Sequence, residues 1–333
     1  MIGIARLKDS DRMDLFRNTA SKMGLNDAIV EKDFWVCYTL DFLFHRTPWF
    51  DHFSFKGGTS LSKAYHLISR FSEDIDLIMD WRLIGYGKDE PWEVRSKSKQ
   101  EAYNLEMNAR TEAFLADVFC NEAAKAMSTE LGREVDLRID PLDPMTVLFA
   151  YPTLFSGTVT MPMIRLEIGA LAAWTPASPA NVSPFAAEHY PRLFDTVETS
   201  IRTVAPERTF WEKATILHHE ANRPESSPMP TRYARHYYDL FRMIESPVKA
   251  TAMKSIDLLA QVVAFKMKFY PRGWARYEDA KPGTMRLVPP DSRITALKAD
   301  YSSMKEMIFG DIPPFSQILS AVRTLEDEIN SAG

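Results

Sequence analysis

Cysteine is nearly absent. The chain of 333 residues holds two, Cys37 and Cys120. They lie far apart and outside any metal-ligand spacing, so neither a disulfide framework nor a structural zinc site is expected. Long apolar runs are missing as well, and nothing reaches the roughly 18 residues a membrane-spanning helix needs. The segment from Met1 to Lys22 mixes charges at Arg6, Lys8, Asp9, Asp11 and Arg12 and has no apolar stretch of the signal-peptide kind. A reduced, cytoplasmic setting without a membrane partner is therefore expected. There is no excess of positive charge either. Against 45 Asp and Glu stand 40 Lys and Arg, a net charge of −5, which excludes a wholly basic nucleic-acid coat. Internal repeats and low-complexity tracts are lacking. So are the Walker A spacing and the Ser/His/Asp or Cys/His patterns of nucleophilic hydrolysis.

What remains is ordinary globular material, 45% hydrophobic and 26% charged, enough for about two domains. The first part alternates helix and strand patterns. Helices are predicted over residues 10–23 and 26–44, the second from apolar positions Ile29, Val30, Phe34, Cys37, Tyr38 and Phe42. A short strand over 53–55 is stopped by Gly57-Gly58, and a helix follows over 59–68. Alternation predicts a strand over 74–79. A charged stretch over 85–110 leads into a long helix ending at Leu131. Strands are expected over 135–139 and 146–151, and over 164–168 within a segment that begins at Thr158. Residues 174–191 carry four prolines and read as a loop. From about Ile201 the pattern turns helical, with helices over 206–218, 233–244, 249–268, 294–308 and 315–329. Pro206 sits where a first-turn proline belongs. The expected boundary lies near residue 200, giving domains 1–200 and 201–333.

The densest chemistry lies in Phe55-Lys-Gly-Gly-Thr-Ser-Leu-Ser-Lys63 and Arg70-Phe-Ser-Glu-Asp-Ile-Asp-Leu77. A strand that ends in two glycines and enters a helix at Thr59 or Ser60 leaves backbone N–H groups free for a phosphate. Gly57 and Gly58 permit close approach to the backbone, while Ser60 and Lys63 add a hydroxyl and a positive charge. On the next strand Asp74 and Asp76 are two apart and share one face, with Ile75 and Leu77 on the other. Two such carboxylates suit a shared divalent ion or a metal pair of the kind used in phosphoryl and nucleotidyl transfer. Each half alone is commonplace, an Asp-x-Asp at a solvated strand edge or a Gly-Gly turn; their succession is not.

This succession resembles the AbiEii/AbiGii-type nucleotidyltransferase toxins of the DNA polymerase β-like nucleotidyltransferase superfamily. The resemblance runs along most of the chain. It takes in Glu31-Lys-Asp-Phe-Trp35, Phe55 to Leu77, Arg208-Thr-Phe-Trp-Glu-Lys213, Arg235-His-Tyr-Tyr-Asp-Leu240 and the tail from Gly273 to Pro290. Fourteen residues separate Thr59 from Asp74, a longer spacing than in the minimal enzymes of the superfamily. The resemblance implies an α+β fold, a mixed polymerase β-like nucleotidyltransferase sheet with flanking helices, followed by a C-terminal helical domain that closes the active-site cleft. It implies NTP as substrate and Mg²⁺ or Mn²⁺ held by Asp74 and Asp76. Gly57, Gly58, Thr59, Ser60, Lys63, Ser72 and Arg235 would bind the nucleotide. Glu167, sharing a face with Arg165 on its strand, is the candidate third carboxylate, against the plainer reading of a solvent-facing edge pair. Lys213 would touch the phosphates, with Asp239 holding Lys213 or an arginine in place. Glu31-Lys32-Asp33 cannot share one helical face, and helix-packing salt bridges are their plainer reading; the resemblance raises the alternative that Lys32 or Asp33 borders the pocket.

In a helix, Arg232, Arg235, Asp239 and Arg242 would form one polar stripe. Phe210, Trp211, Tyr237, Tyr238 and Phe241 around it suggest a buried junction. His218, His219 and His236 read as structural or hydrogen-bonded surface residues. Between Arg202 and Arg276, thirteen Lys or Arg stand against seven acids, a balance suited to an RNA acceptor. The resemblance makes the 3′ end of tRNA the expected acceptor and supplies a separately encoded antitoxin as partner, in a toxin–antitoxin or phage-defence system. Two alternatives stay open at this point: transfer to a protein hydroxyl, and a non-catalytic nucleotidyltransferase-fold module that binds RNA or protein.

Overall fold

A computed structural model of the chain describes residues 1–72, 74–155, 161–171 and 175–332. Glu73, Thr158 and Trp174, which figure in the expectations above, lie outside the described residues. The chain divides into two compact units, one of residues 1–64 and 72–204, the other of residues 65–71 and 205–333.

The first unit is built on a seven-stranded sheet of order β3-β4-β5-β2-β1-β7-β6. Helices α1 (Ile2–Ala5), α2 (Asp9–Met23) and α3 (Asp27–His45) come first. They are followed by β1 (Phe53–Lys56), α4 (Gly57–Lys63) and β2 (Asp74–Met79). Then come α5 (Lys97–Phe114), α6 (Cys120–Leu131), β3 (Asp136–Asp140), β4 (Asp143–Ala150), β5 (Ile164–Gly169), β6 (Ala177–Val182), α7 (Phe185–His189) and β7 (Thr199–Val204). The α+β class expected from the sequence holds: β2 runs antiparallel to β1 and parallel to β5, so the sheet is mixed.

Helix α3 starts where the Asn26 side chain accepts a hydrogen bond from the Ala28 N–H at 2.9 Å. An N-cap of this kind satisfies one of the N–H groups that a helix start leaves unpaired. The helix is buried along most of its length, with Glu31, Lys32 and Asp33 among the buried residues, which makes it a core helix. Its Trp35 stacks on Tyr151 and meets Phe149 edge-on. Phe149 pairs in register with Ile164. The apolar face of the sheet, with Ile75, Leu77, Ile164, Leu166 and Ile168, is fully buried.

Four elements depart from the sequence expectations. Helix α4 stops at Lys63 rather than near Ile68, and His66 takes a left-handed φ of 51°. The charged stretch is helical from Lys97 and passes through a π turn at Leu115–Phe119 into α6. The proline-rich segment holds β6, and residues read as the onset of helix form β7 instead. Pro179 is tolerated because β6 is the last strand of the sheet, where a missing N–H need not break a ladder. In β7 the alternation of buried Thr199, Ile201 and Thr203 with exposed Ser200 and Arg202 is a strand signature.

The second unit is helical. It holds α8 (Pro206–Ala221), α9 (Ala234–Ile244), α10 (Val248–Lys254), α11 (Ile256–Phe269), α12 (Asp291–Met304) and α13 (Phe315–Ser331). The single helix expected over 249–268 is interrupted at Ser255. Residues 65–71 join this unit through short backbone bonds, Phe71 N–H to Met307 O and Phe309 N–H to Ser69 O, both at 2.7 Å.

Candidate active site

In the first unit the register of two strands, β2 and β5, gathers the expected carboxylates. Asp74 lies opposite Arg165 and Asp76 opposite Glu167 along the parallel β2–β5 ladder. Residues paired in this way point to the same side of the sheet. Asp74 and Asp76 are half-buried and Glu167 is exposed, while the residues between them are buried. The face is therefore open and acidic. Cations share it: Lys56 lies opposite Asp76 on β1, and Arg165 lies opposite Asp74 on β5. Arg165 donates from Nη1 to Asp140 Oδ2 at 2.5 Å, and its Nε lies 3.6 Å from Asp74 Oδ1. Burial works against the charge of Arg165, yet the Asp140 bond and the charges of Asp74, Asp140 and Glu167 raise its pKa above the ordinary value.

The glycine turn is fitted against this face. Gly57 has φ +81°, and a Cβ there would sit 1.9 Å from Asp76 Oδ2 and 2.9 Å from Asp76 Cβ. Only glycine suits both the conformation and the space. Thr59 Oγ1 donates to the Asp74 carbonyl at 2.5 Å and so ties the start of α4 to the start of β2. Ser60 Oγ donates to Gly57 O at 2.8 Å. Both hydroxyls are buried and committed to backbone carbonyls. Gly58 and Ser72 are half-buried at the flanks of the turn and of β2.

Lys63 departs from its expected role. Its Nζ is 2.7 Å from Asp33 Oδ1 and 4.0 Å from the centroid of the Phe185 ring, and the side chain is buried. It lies at the far end of α4 from the turn, so its charge is engaged with α3 and not offered to a phosphate. The Glu31-Lys32-Asp33 run is wholly buried and clamps backbone. Glu31 accepts the Leu154 N–H at 2.8 Å, Lys32 donates to Met161 O at 3.0 Å, and Asp33 accepts the Phe185 N–H at 2.7 Å.

In the second unit Lys213 on α8 and Asp239 on α9 meet directly, Nζ to Oδ2 at 2.7 Å. Arg70 completes the cluster with two bonds to the same carboxylate, Nε to Oδ1 at 2.7 Å and Nη2 to Oδ2 at 2.9 Å. Burial would raise the pKa of Asp239, but Arg70 and Lys213 overcome it and hold the carboxyl far below the usual range. Lys213 is lowered by burial and by Arg70, against the pull of Asp239. Its Nζ also lies 3.2 Å from His236 Nδ1. An ammonium only donates, so Nδ1 accepts and the ring proton sits on Nε2. Burial, with Lys213 and Arg235 nearby, keeps this imidazole neutral. His236 and Asp239 are three apart on α9, which brings both to Lys213.

Arg70 and Arg165 have no role assigned in the sequence reading, and His236 is read there only as a structural or hydrogen-bonded residue. Arg70 sits inside the Arg70–Leu77 block, and His236 is one turn from Asp239, so a signal existed for both. Arg165 was noted only as the neighbour of Glu167. The polar stripe does not form. Arg232 precedes α9 with φ +60°, Asp239 is fully buried, and Arg242 pairs with Glu245 at 2.8 Å. The aromatics around it are buried as expected. His218 is a core residue between Arg276 O and the Arg286 N–H. Both cysteines are free and buried. Among the described residues no helix is long and apolar enough to cross a membrane.

A mixed sheet that passes from a strand through a Gly-Gly turn and a short helix to a strand with two carboxylates on its open face defines a nucleotidyltransferase-type domain. The family model described as "Nucleotidyl transferase AbiEii toxin, Type IV TA system" matches residues 41–321. The chain belongs to this family and is a nucleotidyltransferase toxin of a type IV toxin–antitoxin system, with an NTP substrate and an antitoxin partner. Among solved structures it is similar to MenT4, a nucleotidyltransferase toxin from Mycobacterium tuberculosis H37Rv, at 14% identity over 98% of each chain with a TM-score of 0.48. It is also similar to JHP933 from Helicobacter pylori, at 13% identity over 92% of this chain and 94% of the other with a TM-score of 0.43. A comparison with curated proteins gives no match.

Proposed function

We propose that the Asp74–Asp76 face binds NTP with a divalent ion, Mg²⁺ or Mn²⁺, and transfers its nucleoside monophosphate to the 3′ end of an RNA, most specifically tRNA. The observation that carries this reading is the fit of the glycine turn to the carboxylate strand, where even a methyl group at Gly57 would collide with Asp76. Among the described residues no three His, Cys, Asp or Glu side chains form a ready metal cage. Two carboxylates that leave the remaining positions to phosphate oxygens are the usual way of holding Mg²⁺ with a nucleotide. When bound, the ion neutralises phosphate charge and polarises the α-phosphate.

The chain's own residues divide the remaining work. Asp74 and Asp76 hold the ion, and Glu167, exposed and in register with Asp76, stays the candidate third carboxylate, to be drawn in only once ion and nucleotide are bound. Gly57 and Gly58 let the triphosphate approach the backbone. Lys213 is assigned to the nucleotide phosphates, with Asp239 fixing its position; Arg235 and Ser72 are further candidates for nucleotide contact. The acceptor oxygen bonds to the α-phosphorus as the bond to pyrophosphate breaks. Modification of a tRNA 3′ end would stop aminoacylation and hence translation, a sufficient basis for toxicity. The excess of Lys and Arg between residues 202 and 276 supports an RNA acceptor.

The test is to incubate the pure protein with each α-labelled NTP and Mg²⁺ in the presence of total tRNA or total cell protein. Label on RNA that is lost on 3′-end trimming is the expected result. Label on protein alone would overturn the RNA assignment in favour of a protein hydroxyl.

A further inference from the structure

Arg165 is a cation of the carboxylate face that the proposed function leaves without a role, as it does Lys56 opposite Asp76. Arg165 stands in register with Asp74 and faces the same way as Asp74, Asp76 and Glu167. Its two ion pairs are unequal. The contact with Asp140 is a full hydrogen bond at 2.5 Å, whereas that with Asp74 is a looser 3.6 Å. Asp140 is itself fixed, because its other carboxylate oxygen accepts the Leu142 N–H at 3.0 Å. The Leu142 N–H and Arg165 together hold the Asp140 carboxyl below its ordinary range, so this anchor stays charged. The guanidinium is thus tethered from β3 and leans on Asp74 without closing on it.

We infer that Arg165 is a positioning residue, a fixed counter-charge that makes the divalent ion enter together with the nucleotide rather than alone. A bare divalent cation at Asp74 meets the repulsion of a guanidinium that Asp140 prevents from swinging away. An ion that arrives with a triphosphate brings negative charge of its own, and the same guanidinium then attracts the incoming pair. The device rests on the reading of Asp74 and Asp76 as the ion-holding pair. It adds that nucleotide-free protein has a weak affinity for the ion, set by Arg165 and Asp140.

The experiment titrates Mn²⁺ into nucleotide-free protein by calorimetry and by electron paramagnetic resonance, for wild type, Arg165→Gln, Arg165→Lys, Asp140→Asn and Asp76→Asn. Melting curves confirm that each variant is folded. Removing a charge a few ångströms from a divalent ion at a half-exposed site should tighten Mn²⁺ binding in Arg165→Gln by roughly tenfold or more. Arg165→Lys keeps the charge and should stay near wild type. Asp140→Asn keeps the cation but frees it to close on Asp74, so it should bind Mn²⁺ no tighter than wild type. If Arg165→Gln fails to fold, Arg165→Met serves as the neutral variant. Equal Mn²⁺ affinity in wild type and the neutral variant overturns the inference. Should Asp76→Asn also bind Mn²⁺ like wild type, the ion-holding role of the face fails first, which separates the two failures.

Discussion

Gly57 and Asp76 show how tightly one residue can constrain another across a turn. Alanine at 57 would need both a left-handed φ and a place for Cβ already taken by the Asp76 carboxylate. Gly57→Ala should cost about 1–3 kcal/mol of stability and lower nucleotide transfer by at least about tenfold, since Asp76 must move. Gly169→Ala, at a strand end with nothing within 4 Å of the added Cβ, is the control and should change both little. Urea unfolding and transfer assays on the two variants decide this. Asp239 is the other residue on which much depends. Asp239→Asn leaves Arg70 and Lys213 buried and only partly neutralised, which should cost about 3–5 kcal/mol. The sign of the pH effect follows from a carboxyl held below its unfolded value. Its contribution is fully present above the ordinary aspartate pKa of about 3.9 and is lost as pH falls toward the folded value. Stability measured from pH 7 down to about pH 2.5 should fall more steeply for wild type than for Asp239→Asn, with no difference in slope near neutrality. Parallel acid limbs would remove Asp239 from this role.

At the scale of elements, the site depends on one side-chain bond between α4 and β2. Thr59→Val keeps the shape of the side chain and removes its donation to the Asp74 carbonyl, so a loss of about 1–2 kcal/mol is expected. Transfer should fall with it, because the start of the aspartate strand is no longer pinned; a thermal melt and a transfer assay on the same sample check both. Most of this local frame was legible. Asp74–Met79 appears as a strand with the bounds its alternation suggests, because one face is wholly apolar and the other carries the acids. Less legible was whatever long-range partners decide. The proline-bearing β6 reads as a loop until its edge position is known. Helix α4 ends early because residues 65–71 bond to Met307, Phe309 and Asp239 instead of continuing the helix. Lys63 looks like a phosphate ligand by its spacing, and only the arrival of Asp33 from α3 shows that its charge is used elsewhere. The family pattern leaves open whether Asp239 holds Lys213 or an arginine, and its carboxylate contacts both Lys213 and Arg70. Arg70 was overlooked because its partner lies 169 positions away.

For the whole molecule, family membership settles the class of enzyme, while the acceptor is the open half of the chemistry. If the acceptor is RNA, neutralising phosphates releases counterions. The logarithm of RNA affinity should then fall linearly with the logarithm of salt, by roughly 0.7 to 0.9 per phosphate contacted, over about 50–300 mM. A flat response would speak for a protein acceptor. The central claim is narrower: the Asp74–Asp76 face performs the transfer. The most direct measurement compares wild type with Asp76→Asn for incorporation of labelled nucleotide into tRNA, each NTP in turn, with Mg²⁺ present and folding verified by circular dichroism. The substitution keeps the shape of the side chain and removes its charge. A loss of transfer by at least about a hundredfold, equivalent to 2.7 kcal/mol or more in the barrier, with an unchanged melting temperature within a few degrees, is what the assignment predicts. Transfer by Asp76→Asn at the wild-type rate would contradict it.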